Sequence, residues 1–257
     1  GAGARYLRRY RRDALGLAHV VGLLGLWGLS LAWGFEHFAA LQQRPAALGG
    51  LVAVRTVLQT GLFIQVPDAL HGTLTPTFPR LNRALGALLA WVYASFSFAR
   101  LQRDHSRHHA APVSDADPDW YPGGFGAWML GFFGHYSDFR QLSQQSSVFW
   151  TLAWLHCARY GGAFDHATHA AFGVWMLPAV LSAVQLFVFG NYLPHCGDAV
   201  DKPHRANSNA WPELVSLVTC FHFGGYHEEH HRFPDTPWYD LPRHGARPSL
   251  FGGRPRA

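Results

Sequence analysis

Uncharged apolar blocks alternate along this chain with shorter polar segments flanked by arginine. Ala14 to Gly34, "ALGLAHVVGLLGLWGLSLAWG", has about the length a helix needs to cross a hydrocarbon core of ~30 Å. It is too long, and too poor in a small-residue cleavage site, to be a signal peptide. After the loop "FEHFAALQQRP", a second span is predicted from Ala46 to Val66, weakened by Arg55 and Gln59. An arginine there either snorkels toward the interface or pairs inside the bundle. Between Arg80 and Arg100, "LNRALGALLAWVYASFSFA" suits an interfacial helix as well as a span. Phe125 to His135 is a short amphipathic stretch of the same kind. Two further spans are predicted, Ser147 to Tyr160 extended at its N-terminal side, and Thr168 to Gly190. Pro178 should kink the latter without ending it, because buried neighbours can satisfy the carbonyl it frees. The expected fold class is all-α integral membrane, with about four transmembrane helices plus interfacial helices. A single domain, 1–257, is expected, with basic tails at 1–13 and 243–257.

Composition agrees once its segregation is recognised. Only 14% of the 257 residues are charged and 49% are hydrophobic, while the mean hydropathy of −0.02 averages apolar blocks with polar caps. Cys157, Cys196 and Cys220 have no paired spacing, so neither a disulfide framework nor a zinc knuckle is implied. The net charge of +5 gathers at the ends, in "RYLRRYRR" and "RHGARPSLFGGRPRA". No nucleic-acid partner is expected, because nothing between these ends resembles a groove-reading motif. Basic flanks of membrane spans are the better reading. Arg8, Arg9, Arg11 and Arg12 should stay cytoplasmic. An even number of spans then returns the chain to that side near Val66 and again near Asn191. Both termini and every histidine cluster are therefore expected on the cytoplasmic face.

The 17 histidines change the picture most. His105, His108 and His109 in "HSRHH" stand at i, i+3 and i+4, on one face of a helix. His227, His230 and His231 in "HEEHH" repeat that spacing. His71 lies three residues after Asp68, and His195 four after Asn191. Convergent imidazoles without thiolates suit a first-row transition metal, and six on two helices are too many for one ion with open positions. Two metals are expected.

At this point the sequence resembles the membrane-bound fatty acid desaturase and hydroxylase superfamily, and within it the beta-carotene ketolases. The resemblance is carried by "GLFIQVPDALHGTLTP", "RDHSRHHAAPVSDADPDW", "FGNYLPH" and "FHFGGYHEEHHRFPDTPWYDLP". It implies a helical bundle under a cytoplasmic histidine-lined cap that holds two irons. The implied ligands are His71, His105, His108, His109, His195, His227, His230 and His231. Asn191 is placed to reach metal through water, and His222 is either an outer partner of the ligands or structural. Asp68 and Asp117 match acidic positions beside the boxes, with roles in orienting imidazoles or protons, and Glu228 could act likewise. The implied chemistry is dioxygen-dependent oxidation of carotenoid ring carbon C4 to a ketone. The implied partners are membrane lipid, dioxygen and a ferredoxin-like electron donor.

One position departs from that pattern. The ketolases read His-Asp-Ala-x-His in the first box, whereas this chain reads Pro-Asp-Ala-Leu-His, with Pro67 at the first place. Proline cannot ligate metal, so the site nearest His71 is expected to be weak or empty. That raises a second reading, a non-catalytic carotenoid-binding subunit of a larger pigment–protein complex. A third is an oxygenase of the superfamily acting on another lipid.

Overall fold

Hydrophobic blocks that cannot satisfy their backbone groups with water in a bilayer must satisfy them internally, and here they do so as helices. The computed structural model describes residues 2–209 and 211–245, with side chains from Tyr10 onward, and the described residues contain no strand. Most of the basic tail expected at 243–257 lies outside them. The helices are α1 (Ala2–Glu36), α2 (Phe38–Gln42), α3 (Pro45–Leu70), α4 (Pro79–Ala94), α5 (Phe98–Ala110) and α6 (Gly124–Tyr136). They continue as α7 (Phe139–Tyr160), α8 (Phe164–Ala171), α9 (Leu177–Gln185), α10 (Leu193–His195), α11 (Glu213–Cys220) and α12 (His227–Arg232).

Three continuous stretches are long and apolar enough to cross a membrane: Tyr10–Glu36, Pro45–Leu70 and Phe164–His195. The pair α4–α5, bent by 95°, would make a fourth if it counted as one span. The bend has a local cause. Ser95 ends α4 in the left-handed conformation (φ 56), and Ser97 then caps α5, its side chain accepting from Arg100 N. Helix α5 therefore turns away from α4 instead of extending it. The predicted span at Ser147–Tyr160 needs correction in kind. It forms the second half of α7, whose first half, "FRQLSQQSS", is too polar for α7 to pass as a span. Geometrically α7 still runs the length of the bundle. Arg100 on α5 pairs with Asp138 at its start (2.7 Å), and His156 near its end lies 3.2 Å from the Phe35 carbonyl at the far end of α1. Its 22 residues cover ~33 Å at 1.5 Å per residue.

The last long stretch is continuous only because its interruptions are accommodated. Two π-helical segments, Phe172–Met176 and Leu186–Tyr192, separate α8, α9 and α10. Pro178 has no N–H to offer the carbonyl of Val174 four residues earlier. Arg55 supplies the donor instead, Nε bonding that oxygen at 2.5 Å while Nη1 reaches the Trp27 carbonyl (2.9 Å) and Ser30 Oγ (2.8 Å). Arg55 is 1% exposed. Of the two expectations for this arginine, pairing inside the bundle is the one realised.

Apolar packing joins the ends of the bundle. Val20, Leu62, Val66, Leu89, Phe98 and Leu101 bring α1, α3, α4 and α5 together. At the far end Phe35, Phe38, Ala153, Ala167 and Val174 join α1, α2, α7 and the last span. A third cluster, including Ile64, Phe221, Tyr226, Trp238 and Leu241, seats the C-terminal segment on α3. The start of α1 lies at the same end as that segment. Asp13 accepts from Thr77 N at 3.0 Å, and His19 packs on Trp238 and Tyr239. Gly16 permits this approach, since a Cβ there would run into the Leu74 carbonyl. Large apolar side chains such as Val21, Leu26 and Leu29 face outward along α1, as a lipid-facing stripe requires.

Candidate metal centre

Four pieces of chain meet at the end of the bundle where α1 begins. His71 terminates α3, His195 terminates α10, and α5 and α12 bring their histidine faces toward each other. The turn leading into α12 lies hard against the second π-helical segment, and only glycine fits at position 224, where a Cβ would strike the Phe189 carbonyl.

The eight histidines form two quartets. His71, His105, His109 and His230 make one, His108, His195, His227 and His231 the other, and within each the ring nitrogens lie inside 4.8 Å of one another. Each helical triplet is thereby divided. The i, i+4 pair of α5 (His105, His109) serves the first centre and His108 the second, while on α12 the i, i+4 pair (His227, His231) serves the second and His230 the first. The helices trade one imidazole each.

The second quartet fits a metal ion on its own chemistry. The Nδ1 atoms of His108, His195 and His227 donate to the Asp117 carboxylate (3.0 Å), the Arg205 carbonyl (2.7 Å) and the Phe223 carbonyl (3.2 Å). An acceptor on Nδ1 keeps the proton there and leaves a lone pair on Nε2. Those Nε2 atoms nevertheless converge, at 2.9 Å for His195–His227, 3.1 Å for His227–His231 and 3.2 Å for His108–His231. Between His195 and His227, both protonated on Nδ1, lone pairs at that distance repel. A cation between them turns the repulsion into ligand bonds, and two nitrogens ~2.1 Å from one ion and at right angles would stand about 3.0 Å apart.

The first quartet has the same spacing with less support. Nε2 of His71 lies 2.9 Å from that of His105, and His109 lies 3.0 Å from His230. Among the described residues no Nδ1 of these four is hydrogen-bonded, and that of His230 is buried without a partner. Three of the four are half-buried, whereas the second quartet is wholly buried. Burial lowers His71 to about 4. Burial and neighbouring imidazoles hold His227, His230 and His231 well below the ordinary range. All four are neutral at pH 7, with a nitrogen lone pair free to bind a cation.

The acidic residues take distinct places. Asp117 holds His108 and also accepts from Val113 N and Asp119 N, both at 2.9 Å. Burial opposes its charge, but the His108 hydrogen bond and charge and these N–H groups outweigh it, so its carboxyl titrates below the usual range. Asp68 lies outside both quartets and accepts from Trp238 N at 3.2 Å, tying the C-terminal segment to α3. His222 is outside them too, stacked on Trp238. Glu228 pairs with Lys202 at 3.4 Å. Asn191 donates to the Asp119 carbonyl at 2.8 Å. Asp119 itself is the residue the sequence reading passed over, although the alternating acids of "DADPD" placed it two positions from Asp117.

An apolar cavity opens onto this centre. Phe63, Leu70, Phe96, Phe132 and Leu186 line it, and His105, His108 and His227 form its polar end together with Asp119 and Asn191. Pro67, one turn before His71, is part of its wall.

A helical membrane bundle with two histidine quartets at one end defines a class of multi-histidine membrane protein. The fatty acid desaturase family model matches residues 43–249, and the chain belongs to that family. It is 40% identical to the "Beta-carotene ketolase" of Paracoccus sp. strain PC1 over 220 residues, 83% of this chain and 87% of the relative. The "Beta-carotene ketolase" of Haematococcus lacustris is 32% identical, the match covering 90% of this chain and 78% of the relative. The "Zeaxanthin 4-ketolase" of Chlamydomonas reinhardtii is also 32% identical, over 85% of this chain and 48% of the relative. No solved structure matches the chain.

Proposed function

We propose that this protein is a carotenoid ketolase that oxidises the C4 methylene of a β-ring to a ketone at a two-iron centre. The observation that carries the reading is the pair of complete histidine quartets at the polar end of an apolar cavity. The ketolase names of relatives matching most of the chain support the substrate class. Iron bound at the quartets would supply the activation of dioxygen that side chains cannot provide. The chain's own residues do the rest. Asp117 fixes the His108 tautomer and the aromatic walls exclude water. The cavity opening admits a long apolar polyene from the lipid phase. Each of two hydroxylations at C4 consumes one dioxygen, two electrons and two protons and releases water, and the resulting geminal diol loses water to the ketone. Electrons come from a ferredoxin-like donor at the cytoplasmic face, where the quartets and the N-terminus lie in this reading.

Pro67 weakens the first centre without abolishing it, because four imidazoles remain there without position 67. The two sites are unequal, the His71 quartet binding its ion more weakly. Expression in a bacterium that accumulates beta-carotene tests the reading, with pigments analysed and iron measured on the purified protein. Ketocarotenoid with iron bound is the expected outcome. Coloured protein holding unoxidised carotenoid, free of transition metal even after reconstitution with ferrous iron, would favour the pigment-binding subunit instead.

A further inference from the structure

Ketone formation at one carbon passes through an alcohol, and an alcohol is a product unless something keeps it in the cavity. The polar end of the cavity offers one carboxylate suited to that task. Asp119 lines the wall beside His108. One of its oxygens, Oδ1, is engaged by the Tyr136 hydroxyl at 2.5 Å. Its other oxygen, Oδ2, receives no hydrogen bond among the described residues and lies 3.8 Å from His108 Nδ1. That nitrogen is the outer one, already held by Asp117, so Asp119 stands beside the quartet and not within it. Asn191 shares the wall and is 7% exposed, and its side-chain oxygen is also without a hydrogen bond among the described residues. Away from the histidines the wall is also polar in places, and the Gln141 side-chain oxygen is buried there without a partner, but none of those groups is a carboxylate. The Tyr93 hydroxyl meets Ser182, and the Gln141 amide donates to the Ala94 carbonyl.

We propose that Asp119 accepts a hydrogen bond from the ring hydroxyl formed in the first oxidation and holds the alcohol in place for the second. The proposal rests on the ketolase reading. In each oxidation a C–H bond is replaced by C–OH. Dioxygen is the oxidant, a ferredoxin-like one-electron donor supplies two electrons, two protons are taken up, and the second oxygen atom leaves as water. The Asp119 carboxylate is unchanged throughout. A bare β-ring has no hydroxyl and gains nothing from the carboxylate, whereas the alcohol does. The effect is therefore on partition between release and further oxidation, not on the first hydroxylation.

The test measures that partition. In membranes of a beta-carotene-producing host, the unmodified chain should yield ketone with little 4-hydroxy product. Asp119→Leu should raise the alcohol-to-ketone ratio about tenfold, the loss expected for one hydrogen bond to a charged group, and Asp119→Asn, which keeps an acceptor oxygen, should restore part of it. A second measurement needs no turnover. Tryptophan-fluorescence quenching of the metal-free protein in detergent should show about tenfold tighter binding of a 4-hydroxy β-ring carotenoid than of beta-carotene, a difference lost in Asp119→Leu. A purely structural role would lower total oxidation in Asp119→Leu and leave both ratios unchanged, which would overturn the proposal. If the unmodified chain made no oxygenated carotenoid, the ketolase reading would fall, and the binding comparison would still decide what Asp119 recognises.

Discussion

Asp117 and Pro67 adjoin different histidine quartets, one bonded to His108 and the other one turn before His71. Asp117 sets the tautomer of His108 through Nδ1. Asp117→Asn can offer that nitrogen an amide N–H as readily as an oxygen, so the lone pair on Nε2 is no longer guaranteed. Loss of such an outer partner typically costs about 10- to 100-fold in metal affinity or activity, and ferrous-iron titration of the detergent-purified variant should show a drop of that size at one site only. Pro67 lies one turn before His71 of the other quartet and in the cavity wall. Residues four apart share a helix face, so Pro67→His sets an additional imidazole one turn before His71. The variant should bind iron more tightly at the weaker site and give more ketocarotenoid. No change in iron stoichiometry or pigment would mean that position 67 is not a ligand position. Pro67 was legible in the sequence because it broke a motif. Asp119 was not, because whether an acid points at a histidine or at solvent depends on how the loop after α5 folds back.

At the level of elements, the last span survives its interruption at Pro178 because another helix completes its hydrogen bonding. Arg55→Met would leave the Val174 carbonyl without the donor that Pro178 cannot provide. Leaving a buried acceptor unmade costs about 1–3 kcal/mol, which should appear as a lowered thermal midpoint in detergent. Adding Pro178→Ala in that background returns an N–H to Val174 and should recover part of the loss. If the double variant were no more stable than Arg55→Met alone, the arginine would matter for something other than that carbonyl. Hydropathy located the span and its proline, but not its donor, since Arg55 meets Val174 only when α3 packs beside the first π-helical segment.

For the whole molecule, buried imidazoles that resist protonation make stability depend on pH. His71, lowered to about 4, and His227, His230 and His231, lowered further, stay neutral in the folded protein. In the unfolded chain they take protons near their ordinary value of 6.5. Between those values the unfolded state binds more protons, so stability falls as pH is lowered. Asp117, titrating below its ordinary 3.8, adds a loss in the same direction at still lower pH. The thermal midpoint of the metal-free protein should therefore be lower at pH about 5 than at pH about 7.5, and bound iron should widen the gap because protons compete with metal for the same nitrogens. A flat profile would mean the imidazoles are solvated in the folded state. The arrangement also requires α5 and α12 on one side of the membrane. Single cysteines at the exposed positions Arg107 and Arg232, with the native cysteines replaced, should label from the same face, expected to be the cytoplasmic one.

What the sequence determined by itself was periodic. Apolar length marked the spans, and the i, i+3, i+4 spacing put three imidazoles on one face of each of two helices, because both depend only on local helix geometry. Which imidazole serves which centre was decided by tertiary structure. A triplet on one helix spreads over about one turn, and it is the facing helix, with His71 and His195 at the ends of two others, that draws the i, i+4 pair to one centre and the middle residue to the second. The same holds for Asp68, whose place in the first box suggested a role in orienting imidazoles or protons. Packing of the C-terminal segment turned it instead toward the backbone of Trp238, 170 residues away, a separation no local pattern can encode.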